Sequence, residues 1–141
     1  MKKKIKILIV RSKYNDTIQL RRSALSGLNS KRIIVREIKV NGAFEIPVTI
    51  ARNISKYDGF VAIGIILKGE TPNFSLISQA ITNGLMDLSI LFKKPVGNAV
   101  LTCLNTKQAK KRNKKGKEAV DAVLSVLNPK DNYRAINFGK P

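Results

Sequence analysis

The run Phe60-Val-Ala-Ile-Gly-Ile-Ile-Leu67 places the tightest constraint on what this chain can fold into. Eight residues without a polar interruption leave no face for water. A strand of this kind is covered on both sides, as in a parallel sheet with helices above and below. It stops at Lys68-Gly69-Glu70-Thr71-Pro72. From there Phe74, Ile77, Ile81, Leu85 and Leu88 step by three and four, the spacing of an amphipathic helix. A glycine turn that feeds a helix start leaves backbone N–H groups free, and such groups favour an anion such as phosphate.

The rest of the chain repeats the alternation. Lys4–Val10 reads as a strand ending in a polar loop, after which Asn15 or Asp16 can cap a helix with Ile18, Leu25 and Leu28 on its apolar face. Arg32–Val40 is β-branched and reads as a second strand, closed by Asn41-Gly42. A helix from about Ala43 to Lys56 follows, with Pro47 in its first turn and Phe44, Ile46, Val48, Ile50 and Ala51 available for burial. Beyond Lys93-Lys94-Pro95, Val96–Leu104 is a further strand. Thr106 is placed to cap a short basic helix, and Lys115–Leu127 forms the last one. Residues 129–141 lack any period and are expected to be a loosely ordered tail. Strand and helix in strict alternation predict one α/β domain over residues 1–141 with a parallel sheet.

The single cysteine, Cys103, forms no internal disulfide, and a chain without histidine builds no Cys/His zinc site. No stretch reaches the roughly 18 apolar residues of a membrane span. The basic, then apolar start lacks the long run and small-residue cleavage site of a signal peptide, so a cytoplasmic location is expected. Twenty-seven Lys and Arg against nine Asp and Glu give a formal charge of +18. Lysine is abundant here together with isoleucine and asparagine, as AT-biased coding produces. With aromatics at 6% and no tryptophan, base-stacking platforms are scarce, and nucleic acid is not the expected partner.

Ligands of open parallel sheets bind at the carboxyl ends of the strands. In this chain those ends carry Tyr14-Asn15, Asn41–Glu45, Leu67–Asn73 and Cys103–Thr106. An aromatic, a carboxylate, a glycine turn and polar caps on one rim suit a planar heterocycle with hydroxyls plus a phosphate.

Asn41-Gly-Ala-Phe-Glu-Ile-Pro47, Gly64–Phe74, Arg112 and Lys115-Gly116 together resemble the 6,7-dimethyl-8-ribityllumazine synthases of riboflavin biosynthesis, in order and spacing, over about residues 5–127. The resemblance implies a flavodoxin-like three-layer sandwich with a central four-stranded parallel sheet, assembled as pentamers with active sites between neighbouring subunits. It implies a transferase that condenses 5-amino-6-(D-ribitylamino)uracil with 3,4-dihydroxy-2-butanone 4-phosphate and releases phosphate, with neither metal nor organic cofactor. By the same resemblance Tyr14 stacks on the pyrimidine, and Ala43, Phe44 and Glu45 hold the ribityl chain. Ile65, Ile66 and Leu67 edge the uracil through main-chain groups. Glu70 and Thr71 offer N–H groups to the phosphate, and Arg112 clamps it from across the subunit boundary. Lys115 adds charge, and Glu118 or water moves protons.

Three departures from the family pattern bear on this expectation. Asn73 stands at the position of the family's proton-transferring histidine, and an amide cannot shuttle a proton. General acid–base help is worth about 10²–10⁴-fold, whereas orienting two reactants supplies roughly 7–11 kcal/mol, so turnover without the histidine is expected to survive. Asn98 replaces an aromatic common in the family. The short link from Arg112 to Lys115-Gly116 favours an isolated pentamer or decamer over a shell. A catalytically impaired homologue that binds flavin or lumazine, or serves assembly, is the alternative reading.

Overall fold

The computed structural model describes residues 3–128 and 134–139. The elements are β1 (Ile5–Ser12), α1 (Ile18–Ser26), β2 (Ile33–Val40), α2 (Ile46–Arg52), β3 (Gly59–Leu67), α3 (Asn73–Phe92), β4 (Val96–Cys103), α4 (Thr106–Lys111) and α5 (Lys115–Leu127), with a single 3-10 turn at Ala43–Glu45 before α2. All four strands are parallel, in the order β2-β1-β3-β4. The chain moves from β1 outward to β2, then returns across β1 to β3 and continues to β4. Crossovers between parallel strands are right-handed, so this reversal sends the connecting helices to opposite faces.

Two apolar cores result, one on each face of the sheet. Leu20 and Ala24 of α1, Ala109 of α4, and Ala119, Val120 and Val123 of α5 pack on Ile7, Ile9, Val61, Ile63 and Leu101. Ile46 and Ile50 of α2 with Ile81 and Leu85 of α3 pack on Leu8, Val10, Phe60 and Ala62. β3 is buried from Gly59 to Ile65, as its unbroken apolar run predicts. The order and layering are those of a flavodoxin-like three-layer sandwich.

Two close approaches fix the α5 layer. A methyl group on Gly97 would sit 2.5 Å from the Ala119 carbonyl oxygen, so β4 and α5 meet backbone to side of backbone there. A methyl on Gly116 would overlap the Leu20 carbonyl oxygen, which explains the glycine at the start of α5 by its crossing over α1.

Several local expectations need correction. Leu28 is buried and Leu25 packs on the same core, but Ile18 is exposed, and Leu20 and Ala24 of α1 join them there instead. Thr17 is the residue that precedes α1 and makes no side-chain cap, whereas Asp16 Oδ1 accepts the Ile18 N–H at 3.1 Å. α2 ends at Arg52, four residues before Lys56, and Phe44 and Val48 point to solvent. The cap of α4 is Asn105, whose side-chain oxygen accepts the Gln108 N–H at 2.8 Å, with Thr106 the first helical residue. The tail expected over 129–141 lies partly outside the described residues; 134–139 have no helix or strand.

Candidate active site

The reversal of strand order lies between β1 and β3, and there the sheet leaves a crevice. β3 pairs with β1 only as far as Ile63, whereas its pairing with β4 continues to Leu67. The Lys68 N–H continues the β4 side by donating to the Cys103 carbonyl at 2.9 Å. Peptide groups alternate in direction along a strand. Residues 64, 66 and 68 therefore face β4, and those of Ile65 and Leu67 face the space beyond the end of β1.

Asn15 enters that space. Its backbone is left-handed, with φ 67°, and its Nδ2 donates to the Ile65 carbonyl oxygen at 2.8 Å. The loop that carries it is held at its base. Thr17 Oγ1 donates to the Ser12 carbonyl at 3.2 Å and accepts from Arg11 Nη1 at 3.1 Å. Arg11 is buried and also reaches Glu37 of β2 at 3.4 Å, and Arg21 Nε of α1 donates to the same carboxylate at 2.6 Å. Burial works to raise the Glu37 carboxyl, but hydrogen bonds from Arg21 and Arg11 and the charge of both guanidiniums hold it below its ordinary value.

On the α2–α3 face of the Asn15–Ile65 bond lies a cavity of about 450 Å³. Tyr14, Ala43, Phe44, Ile65, Ile66, Leu67 and Asn73, all singled out in the sequence, line it together. Tyr14 and Phe44 are 73% and 63% exposed, so their ring faces are free for a ligand. Ile65 and Leu67 turn their side chains to the opposite core, and only Ile66 presents its side chain to the α2–α3 side. A second cavity of similar size opens behind the bond, between α1 and α4, with Gln19, Thr106, Lys110 and Asn113 on its walls.

Other expected site residues stand apart from the front cavity. Glu45 follows the lining residue Phe44 but is not itself part of the wall, and its Oε1 accepts the Gly42 N–H at 2.9 Å. Glu70 and Thr71 lie exposed in the turn before α3, and Thr71 Oγ1 accepts the Asn73 N–H at 3.4 Å. Among the described residues the N–H groups of Gly69, Glu70 and Thr71 have no protein partner. Gly69 itself is not left-handed and a methyl there would meet nothing, so the turn does not demand glycine for its own conformation. Asn98 is exposed on β4, its Oδ1 accepting the Val100 N–H at 3.0 Å. Arg112, Lys115 and Glu118 belong to the α4–α5 layer and line neither cavity; Lys115 and Glu118 are 3.8 Å apart.

The sequence suggested no individual site role for Lys68, Phe74 or Ile77, which also line the front cavity. For Lys68 the signal was available: it is two residues beyond Ile66 and so falls on the same face of the strand end. Phe74 and Ile77 carried no such signal, since their helical spacing marks them as core.

A flavodoxin-like sheet with an aromatic-walled crevice at its switch point defines a small-molecule-binding α/β protein. The family model described as 6,7-dimethyl-8-ribityllumazine synthase matches residues 4–131. The chain is 35% identical to the 6,7-dimethyl-8-ribityllumazine synthase of Bartonella tribocorum, over 94% of this chain and 95% of that protein. It is 36% identical to that of Bartonella henselae, over 95% and 94%, and 32% identical to that of Renibacterium salmoninarum, over 88% of each. The chain belongs to the 6,7-dimethyl-8-ribityllumazine synthase family.

Proposed function

We propose that the front cavity condenses 5-amino-6-(D-ribitylamino)uracil with 3,4-dihydroxy-2-butanone 4-phosphate to 6,7-dimethyl-8-ribityllumazine, with release of phosphate. The observation that carries the reading is the convergence of Tyr14, Phe44, the free strand end of β3 and Asn73 on one cavity, in a chain of this family. The Tyr14 face stacks on the pyrimidine, and the Leu67 peptide group meets its edge. The Ala43–Phe44 backbone and the second oxygen of Glu45 take the ribityl hydroxyls. The N–H groups of Glu70 and Thr71 receive the phosphate.

The assembly is a homopentamer, or a decamer of two, acting in the cytoplasm. Two observations support it. Arg112, Lys115, Glu118 and Asn98 lie off the chain's own cavity, where they are free to complete a neighbour's. Val48, Leu76, Met86, Ile90 and Leu91 are exposed along α2 and α3, which suits burial between subunits. In that arrangement Arg112 clamps the phosphate with its planar fork and Lys115 adds charge. Asn73 holds the reacting groups by hydrogen bonds in place of a histidine.

The test is to incubate purified protein with both substrates and follow lumazine and phosphate together. Formation no faster than the spontaneous condensation would sink the proposal. Arg112→Ala is expected to raise KM for the ketone phosphate, and an unchanged KM would remove Arg112 from the site.

A further inference from the structure

Proton transfer in this cavity has few sources. Of the side chains that line it, Tyr14 and Lys68 are the ionisable ones. Asn73 carries an amide, which neither gains nor loses a proton in water near neutrality. The Glu45 carboxylate is not part of the lining and is engaged by the Gly42 N–H. The same chain's Glu118 sits in the opposite helical layer, 3.8 Å from Lys115, so that only a neighbour's Glu118 could reach this cavity. Lys68 differs from these in two ways. Its backbone is anchored, since its N–H extends the β3–β4 ladder to Cys103 at 2.9 Å, so the stem starts from a fixed point at the strand end. It also lines the cavity and immediately precedes Gly69, Glu70 and Thr71, whose N–H groups have no protein partner among the described residues.

We propose that Lys68 is a catalytic residue that shuttles a proton during phosphate release. The inference rests on the reading of the front cavity as the condensation site. Once the uracil amine has formed an imine at C2 of the ketone phosphate, phosphate departs by elimination. Lys68 first gives its proton to a phosphate oxygen. Its neutral amine then takes the proton from C3 as the C3–H electron pair forms the C3=C4 bond and the C4–O pair leaves on the phosphate oxygen, and the ammonium is restored. The net movement is one proton from carbon to phosphate, with no other reactant consumed. An ammonium offers three donors and a compact positive charge, which suits a departing phosphate.

The experiment compares the full-length protein with Lys68→Met, Lys68→Arg and Lys68→Met/Asn73→His, following phosphate release and lumazine formation separately. The Lys68 side chain is exposed and its main-chain bond to Cys103 survives each change, so the variants are expected to melt as the parent does. Lys68→Met is expected to lower kcat about 10²-fold while KM for the ribitylaminouracil changes less than about twofold. Lys68→Arg keeps the charge but gives up no proton, so it is expected to hold KM for the ketone phosphate and still lose kcat. Asn73→His in the Lys68→Met background is expected to regain at least about 10-fold, because imidazole supplies the missing carrier. A Lys68→Met enzyme with parental kcat overturns the proposal, and so does a Lys68→Arg enzyme that turns over like the parent. If the parent protein itself makes lumazine only at the spontaneous rate, both the site reading and this role fall. Parental turnover that survives every Lys68 change removes the lysine alone.

Discussion

Asn15 Nδ2 donates to the carbonyl oxygen of Ile65 at 2.8 Å, and this one bond divides the carboxyl end of the sheet into a front and a rear cavity. It stands where a ladder bond between β1 and β3 would lie if β1 continued. The left-handed backbone of Asn15 lets the loop turn sharply enough to bring the amide there. Asn15→Ala loses the bond and places a Cβ in a disfavoured conformation, whereas Asn15→Gly loses only the bond. Gly is therefore expected to be the more stable variant by about 1 kcal/mol. Urea midpoints measure the difference, and equal midpoints would show that the backbone is not strained.

Glu37 binds two guanidiniums that approach from different elements, Arg11 from β1 and Arg21 from α1. Its folded carboxyl lies below its ordinary value of 4.5, so the unfolded chain takes up a proton first as pH falls. The stability it contributes is fully present above about 4.5 and is lost as pH drops through the folded value. Glu37→Gln is expected to cost about 3 kcal/mol at neutral pH, because it leaves Arg11 buried without its counter-charge. The variant is also expected to lose less stability than the parent between pH 6 and 3. Parallel stability curves for the two proteins would rule out Glu37 as the source.

Gly116 sits where α5 crosses α1, against the Leu20 carbonyl. Backbone cannot yield there as a side-chain tip could, so Gly116→Ala is expected to destabilise by about 1–3 kcal/mol. Thermal melting checks it, and a melt within a degree of the parent would show that α5 can slide away from α1.

Gly69→Ala makes the opposite case. The added methyl meets no atom of the chain, so folding stability is expected to stay within about 0.5 kcal/mol of the parent. The same methyl would crowd a phosphate held by the Gly69–Thr71 turn, so KM for the ketone phosphate is expected to rise. Unchanged KM with unchanged stability would place the phosphate elsewhere.

Asn73→His adds an imidazole, with an ordinary pKa of about 6.5, to a chain that has no histidine. It is expected to raise kcat by up to about 10²-fold, with the gain growing as pH rises through that value. A kcat no higher than the parent's would mean that proton transfer does not limit turnover.

The chain determined by itself those features that rest on neighbours in sequence. The apolar run of β3, the three-and-four spacing of α3 and the span Lys115–Leu127 of α5 were legible because burial on both faces, or along one stripe, leaves a periodic mark. Tyr14, Phe44 and Asn73 were legible as residues of the carboxyl rim because each follows a strand end. What the tertiary structure decided was which of them share a space. Right-handed crossovers put α2 and α3 on one face and α1, α4 and α5 on the other, so Tyr14, Phe44, Lys68 and Asn73 converge while Arg112, Lys115 and Glu118 are carried away. No periodicity records that separation, since handedness acts between elements far apart in the chain. The exposed side of Phe44 and the bridge from Asn15 to Ile65, fifty residues away, belong to the same class of fact.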